Sequence, residues 1–319
     1  MLYEMSDFYT KWAWDVLSDH GYLSLNPIPE KILDTAWSVV YRFATHRGAI
    51  YLKKVPPPLF LEVLIIKILA TQFKAKVPHL VADNPKHHCF LMQDAGIPLH
   101  DFLKENFKTE WLIPALQDYT TLQLKTITRI DFLIAEGVPD WRLEKLPQHY
   151  RSLINEEKLL LADGLNHLEI EKLKGLEEKL LCICEQLSKY NIPETLSHSD
   201  FHDKNILINA QTHETTLIDL GEMSITHPFF SVLNYLHRAQ ENFQISEKHY
   251  QSIQEMALEP WLSFEPKDRL LEIFNLIQQC WSIHAVLGEY HLIQSVTPLH
   301  RKTLSTQGRF ANKLRIWML

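Results

Sequence analysis

The sequence predicts an α+β protein: a small antiparallel β-sheet lobe with one helix, followed by a larger and mainly helical body. Three observations point there. Residues 36–55 form two β-rich runs around a His46-Arg47-Gly48 turn, the pattern of a half-buried hairpin. From Leu59 the period becomes helical, with Leu59, Val63, Ile66, Ala70 and Phe73 on one stripe. Beyond Asp101 the pattern is mostly helical to about Tyr190, and helices resume after Pro228.

In order, Ala36 to Phe43 alternates, with Val39, Tyr41 and Phe43 on one side, and Ala49 to Val55 is its hairpin partner. Pro56-Pro57-Pro58 separates that hairpin from the helix, which ends before Val77-Pro78. His88 to Met92 is an apolar run of strand length that stops at Gln93-Asp94-Ala95-Gly96. The expected division is therefore residues 1–94 as a first lobe and 95–319 as a second. In the second, Gly137-Val138-Pro139 and Asp163-Gly164 break the helical pattern. Ile206 to Asn209 and Thr215 to Leu220, separated by a polar stretch, predict a small hairpin. Asp268 to Leu287 carries Leu271, Phe274, Ile277, Trp281 and His284 on one helical stripe.

Composition narrows the classes of function. With 319 residues, 46% of them hydrophobic and 22% charged, the chain can bury a sizeable core. Thirty-two Lys+Arg against 39 Asp+Glu give a net charge of −7, which lacks the broad positive field that phosphate-backbone binding needs. No nucleic-acid partner is expected. The longest apolar stretch, Leu59 to Ala70, is interrupted by Glu62 and Lys67 and falls short of the ~20 residues that cross a bilayer. Met1 to Thr10, carrying Glu4 and Asp7, lacks the layout of a signal peptide. The expectation is a cytoplasmic protein with no membrane partner. Cys89, Cys182, Cys184 and Cys280 form no C-x-x-C pair and read as buried thiols.

The chemistry concentrates in His198-Ser199-Asp200-Phe201-His202-Asp203-Lys204-Asn205 and, after the small hairpin, Leu217-Ile218-Asp219-Leu220-Gly221-Glu222. An Asp, an Asn five residues on and a second Asp fourteen residues later suit phosphoryl transfer. One carboxylate orients a hydroxyl and accepts its proton, while carboxylate and amide oxygens are the ligands magnesium prefers. The order follows the H-x-D-x-x-x-x-N and D-x-G loops of kinases.

On S-H-S-D-F-H-D-K-N-I-L and L-I-D-L-G-E, the chain resembles the aminoglycoside phosphotransferase and choline kinase superfamily, small-molecule relatives of protein kinases; Thr226-His227-Pro228-Phe229-Phe230 is similar too. The resemblance implies a bilobal, protein-kinase-like fold and an ATP- and Mg²⁺-dependent enzyme. It makes Asp200 the catalytic base and Asn205 and Asp219 the Mg²⁺ ligands.

A kinase also needs a strand lysine for the ATP phosphates and a helix glutamate to hold it. Strand alternation lets only one of Lys53 and Lys54 face inward, and the similarity of I-Y-L-K to the family's strand selects Lys53. Glu62 shares the apolar arc of its helix, where an unpaired carboxylate costs about several kcal/mol, so it calls for a cation, and Lys53 is the natural one. By resemblance, Gln93-Asp94-Ala95-Gly96 is the interlobe hinge whose backbone at Gln93 and Ala95 binds adenine. The family's glycine-rich phosphate loop is missing. Its place falls to Asp34-Thr35-Ala36-Trp37-Ser38, so a backbone cradle has to use Ser38 and its neighbours.

Other readings compete. His198, Asp200, His202 and Asp203, with His227 or His237, could make a zinc hydrolase, although the order differs from dense zinc motifs. Otherwise His198 is a packed histidine holding the loop backbone, and His202 sits at the mouth of the site. Glu222 is either a third acid near the metal or a cap. Trp141 or Trp281 could form an aromatic box, but core packing explains either one better. A binding protein that kept the fold is the non-enzyme alternative, mildly favoured by the missing glycines and opposed by the retention of Lys53, Glu62, Asp200, Asn205 and Asp219. A protein kinase is excluded because only Leu220 to His227 separates Asp219 from the next helical stretch, leaving no activation segment. The acceptor is then a small hydroxyl compound. The resemblance puts an aminoglycoside-like acceptor first, ahead of choline, homoserine or a sugar, and the net acidity mildly favours a cation.

Overall fold

The computed structural model describes residues 2–105, 107–304 and 306–319, with side chains from Phe8 onward. The side chains of Glu4 and Asp7, on which the N-terminal reading rests, lie outside the described residues. The chain forms two compact units, residues 1–97 with 207–221 and residues 98–206 with 222–319.

The first unit opens with helix α1 (Leu2–Asp19) and continues through β1 (Glu30–Asp34), β2 (Val39–Thr45), β3 (Gly48–Lys54), α2 (Leu61–Gln72), β4 (Leu80–Asn84), β5 (Cys89–Gln93) and the two-residue β6 (Ile97–Pro98). The first five strands make one antiparallel sheet in the order β1-β2-β3-β5-β4. The expected hairpin is β2–β3, closed at Gly48 with φ +103°, a conformation that favours glycine. Alternation along the strands sorts the faces. Tyr41, Phe43, Ile50, Leu52, Cys89 and Leu91 form a buried cluster with Tyr9, Ala13 and Leu17 of α1. On β3, Lys53 has the opposite parity, while Lys54 lies on the α1 side with its Nζ 4.3 Å from the centre of the Tyr9 ring.

No helix was expected over Leu2–Asp19, so this unit has one helix more than expected. The strands β1 and β4 were not anticipated either. β1 is Glu-Lys-Ile-Leu-Asp on the sheet edge, exposed at every position, and so carries no alternation.

The second unit contains α3 (Leu99–Glu105), α4 (Ile113–Thr126), α5 (Ile130–Ala135), α6 (Leu146–Ile154), α7 (Glu157–Ala162), α8 (His167–Lys174) and α9 (Glu177–Leu187). Then come β7 (Thr195–His198), the small hairpin β8 (Ile206–Ile208) and β9 (Thr215–Leu217), and β10 (Met223–Thr226). The chain ends in α10 (Phe229–Phe243), α11 (Glu247–Leu258), α12 (Lys267–Ser295), α13 (Pro298–Leu304) and α14 (Arg309–Trp317). β7 and β10 pair antiparallel, His198 opposite Met223 and Thr195 opposite Thr226. The expected helix breaks fall at Gly137 and Gly164, with φ +98° and +104°. The buried Asp163 accepts the N–H groups of Arg309, Phe310 and Ala311 at 2.7–3.0 Å and so caps α14.

The hairpin at 207–221 belongs with the first unit although its sequence lies in the second half of the chain. Leu217 N–H donates to the Lys76 carbonyl at 2.9 Å, and Gly96 lies so close that a Cβ there would be 2.2 Å from the Ile208 carbonyl oxygen. Gly96 also has φ +120°. Cys89, Cys184 and Cys280 are buried as expected, whereas Cys182 is exposed, because it sits on the outward arc of α9. Among the described residues no helix is long and apolar enough to cross a membrane.

Two outcomes follow from this packing. Gly96→Ala meets both a positive φ and a backbone oxygen and should cost about 2–4 kcal/mol, read as a lowered urea midpoint at an unchanged m-value. In the second unit, burial alone lowers the pKa of His284 to about 3, and its ring stacks on Phe230 at 4.4 Å. The unfolded chain therefore takes up a proton that the folded chain refuses, so this contribution is complete above about pH 6.5 and is lost as pH falls towards 3. His284→Phe should flatten the fall of melting temperature over that window; an unchanged slope would exclude His284 as its source.

Candidate active site

In the first unit, three groups from separate parts of the chain meet. Strand parity turns Lys53 of β3 away from the α1 face, and the helical arc of α2 carries Glu62. Lys53 is 6% exposed and Glu62 3%. Lys53 Nζ lies 2.9 Å from Glu62 Oε1 and 2.8 Å from Oε2, and it also donates to Asp219 Oδ1. Burial by itself pulls the pKa of the lysine down. The charges of Asp219 and Glu62 more than offset this and hold its pKa above the ordinary value, so Lys53 is an ammonium ion.

Asp219, just past β9, has φ +59°. A non-glycine residue in this left-handed region is uncommon, though Asp tolerates it better than most. Next to it, Gly221 passes Leu59 so closely that a Cβ would lie 3.2 Å from the Leu59 carbonyl oxygen. A strained carboxylate is thus held against a buried ammonium.

The remaining first-lobe candidates are placed as follows. Ser38 closes the β1–β2 turn, where its N–H donates to Thr35 Oγ1 at 3.0 Å and its carbonyl accepts from Thr35 N–H at 2.9 Å. Its Oγ is buried without a partner. The turn is therefore tied to itself, and the expected backbone donor at Ser38 is already engaged. Gln93 ends β5, its N–H donating to the His79 carbonyl at 2.9 Å and its side chain to Tyr22 Oη at 3.0 Å. Asp94 N–H donates to Ala49, and Asp94 Oδ1 accepts from Gly96 N–H, which bends the chain around Ala95.

In the second unit, the loop after β7 brings Asp200 and Asn205 together. Asn205 Nδ2 donates to the Asp200 carbonyl at 2.9 Å and to its Oδ2 at 3.1 Å. His202 Nε2 contacts the same Oδ2 at 3.1 Å. Burial opposes the charge on Asp200, but the His202 hydrogen bond, together with the positive character of His202, His198 and Arg238, brings its pKa down to about 2.

The loop's backbone is fastened by a closed circuit of neutral groups. His198 N–H donates to Tyr119 Oη at 2.7 Å, Tyr119 donates to Ser231 Oγ at 2.8 Å, and Ser231 donates back to the His198 carbonyl at 3.0 Å. Asn234 Nδ2 reaches the Phe201 carbonyl, Phe201 stacks on Tyr119 at 4.0 Å, and Asp200 N–H donates to His198 Nδ1.

His198 is thus the packed, loop-holding histidine expected. His202 is not at the mouth of the site as expected: it is 7% exposed and turned onto Asp200. Asp203, 2% exposed, accepts from His100 Nδ1 and from Asn242 Nδ2. Tyr119, Ser231, His100 and Asn242 escaped the sequence reading because they come from α3, α4 and α10 and belong to no local motif. The carbonyl of Glu222 accepts from Ser199 N–H at 3.2 Å, which ties the segment after Asp219 back to the β7 loop.

The competing readings find little support. Among the described residues, no group of three or more His, Cys, Asp or Glu could hold a metal ion, so the zinc reading lacks its constellation. His227 is buried, its pKa lowered to about 3 by desolvation, and its Nδ1 accepts from Phe229 N–H. His237 lies edge-on to Trp281, and Trp141 meets the rings of His149, His284 and His291. Both tryptophans are occupied by packing.

No curated protein matches this chain in sequence. Solved structures share its fold. An ethanolamine kinase of Plasmodium vivax aligns with TM-score 0.59 and 13% identity over 90% of this chain and 81% of the other. The macrolide 2'-phosphotransferase of Brachybacterium faecium gives 0.60 and 11% over 93% and 97%. An aminoglycoside phosphotransferase of Streptomyces rimosus gives 0.52 and 17% over 88% and 97%. The pattern described as the phosphotransferase enzyme family matches residues 33–255, more than half of the chain and inclusive of Lys53, Glu62, Asp200, Asn205 and Asp219. The chain belongs to the phosphotransferase enzyme family.

Proposed function

We propose that the protein moves the γ-phosphoryl group of ATP, in the presence of Mg²⁺, onto a hydroxyl of a small polar molecule. The observation that carries this reading is the buried Lys53 ammonium held between Glu62 and Asp219. Packing does not call for a charge in that position, whereas a triphosphate does.

The residues fit the implied groups. Lys53 is the donor for phosphate oxygens, and Glu62 keeps it in place when the nucleotide competes for it. Asp219 supplies a carboxylate. The amide nitrogen of Asn205 is committed to Asp200, so its Oδ1 is the atom on offer, and carboxylate and amide oxygens are what magnesium selects. Magnesium bound there would neutralise charge building on the phosphate oxygens. Gln93 and Ala95 are the proposed adenine contacts through their backbone, and the turn around Ser38 stands in the place of the glycine loop.

Asp200 orients the acceptor hydroxyl and receives its proton. A carboxylate with a pKa near 2 is a weak base, so the proton moves only as the new O–P bond forms. Because the relatives named are only 11–17% identical, they show the fold and leave the acceptor to chemistry. A structure of the Streptomyces rimosus enzyme holds ADP and streptomycin, and a spectinomycin phosphotransferase holds ADP and spectinomycin. Following these and the net charge of −7, we place hydroxylated amines first, with aminoglycosides ahead of choline-like alcohols, and homoserine and sugars after them. The self-tied Thr35–Ser38 turn favours one second reading, a nucleotide-binding protein without turnover.

Substrate-dependent ADP release across ethanolamine, choline, homoserine, streptomycin, spectinomycin, a macrolide and simple sugars tests the proposal; Mg-ATP binding with no turnover on any of them would favour the second reading. Asp200→Asn should lower kcat by about 10²–10⁴-fold with ATP affinity nearly unchanged, and an equal loss in both would remove Asp200 from the role of base. Asp219→Ala should abolish Mg-ATP binding in a calorimetric titration, and unchanged binding would overturn its assignment to the metal.

A further inference from the structure

The hydrogen bonds on Asp200 are unevenly distributed. Both side-chain donors, Asn205 Nδ2 and His202 Nε2, converge on Oδ2 at 3.1 Å. The orientation of the His202 ring is itself settled by its surroundings. Its Nδ1 accepts the backbone N–H of Lys204 at 3.1 Å, and because that backbone group can only donate, the neutral ring must carry its proton on Nε2. Asp203 Oδ1 lies 3.6 Å from the same Nδ1, and Asp203 is in turn held by His100 and Asn242. Protonating Nδ1 would exchange the Lys204 contact for an ion pair with Asp203 and leave Nε2–H on Asp200. In either state, His202 donates to Oδ2.

We infer that His202 is a positioning residue for Asp200: together with Asn205 it occupies Oδ2, locks the carboxylate's rotation and leaves Oδ1 as the oxygen that takes the acceptor's proton. This rests on the proposed role of Asp200 as base. In the step, the acceptor oxygen forms its bond to the γ-phosphorus. The bond from that phosphorus to the bridging oxygen breaks, and the nucleoside diphosphate leaves with the electron pair. The acceptor's proton ends on Asp200 Oδ1. A carboxylate free to rotate would present either oxygen, and small errors in placement of a reacting group carry large costs in rate. Asn205 gives one amide proton to the Asp200 carbonyl and so brings a single donor to Oδ2, and His202 supplies the second.

The test has a spectroscopic arm and a kinetic one, both on the full chain. With ¹⁵N-labelled histidine and no nucleotide, His202 should show a proton on Nε2 with a resolved downfield resonance. The resonance is assigned by its loss in His202→Gln and should move or broaden away in Asp200→Ala. An unprotonated Nε2, or a resonance indifferent to Asp200→Ala, overturns the inference. In the kinetic arm, ADP release from Mg-ATP is followed with water as the acceptor. His202→Leu should lower kcat about 10–100-fold with KM for ATP within about twofold, and His202→Gln, which restores a donor near Nε2, should recover most of the loss. Wild-type kcat in His202→Leu, or equal losses in the Leu and Gln variants, overturns the positioning role. Asp200→Asn at the wild-type rate instead overturns the assignment of Asp200 as base, and so separates the two failures.

Discussion

The charge on Lys53 is the constraint around which the first unit is built. An ammonium with 6% of its residue exposed cannot persist without compensation. The two carboxylates that supply it come from α2 and from the segment after β9. Removing one partner of such a pair typically costs about 3–5 kcal/mol, because it strands the other charge. The ion pair thus ties three distant stretches of chain to one point. It also accounts for the left-handed backbone at Asp219 and for the glycine at 221, where a side chain would crowd the Leu59 carbonyl. An apolar triad of similar volume could hold the same elements together, so packing alone does not call for the charge.

The second unit secures the loop after β7 by different means. Tyr119, Ser231 and the His198 backbone exchange hydrogen bonds in a closed circuit, and Asn234 and Gln123 add bonds to Phe201 and Pro228. Each of these groups is neutral. Beside them runs a row of titratable groups, His100, Asp203, His202 and Asp200, with carboxylates and imidazoles alternating. The buried part of that row keeps the imidazole oriented, and the half-exposed carboxylate at its end remains available for chemistry.

Much of this was legible locally. Asp200, Asn205 and Asp219 stand out because they are carboxylates and an amide at the short, regular spacings that phosphoryl transfer would need. Strand alternation required Lys53 and Lys54 to face apart, the resemblance of I-Y-L-K to the family's strand selected Lys53, and the structure puts Lys54 over the Tyr9 ring on the opposite side. Glu62 declared itself as a carboxylate on an apolar arc. By contrast, α1 was not expected although Tyr9, Ala13 and Leu17 recur at four-residue spacing along it, and β1 and β4 are too short and polar to alternate visibly. The exposure of Cys182 beside the buried Cys184 depends on how the α9 helix is rotated, which thiol chemistry alone does not specify.

By itself the sequence determined the order of elements that repeat with a clear period, the two loops with the residue types that phosphoryl transfer needs, and the need of Glu62 for a cation, since each follows from residue types within one or two turns of chain. Only the tertiary structure decided that 207–221 folds with the first unit, that His202 faces Asp200 and is not at the surface, and that Asp203 is held by residues from α3 and α10. The physical reason is range. Periodicity and spacing report forces between near neighbours, whereas a donor that completes a buried carboxylate can arrive from a hundred residues away and leaves no trace beside it.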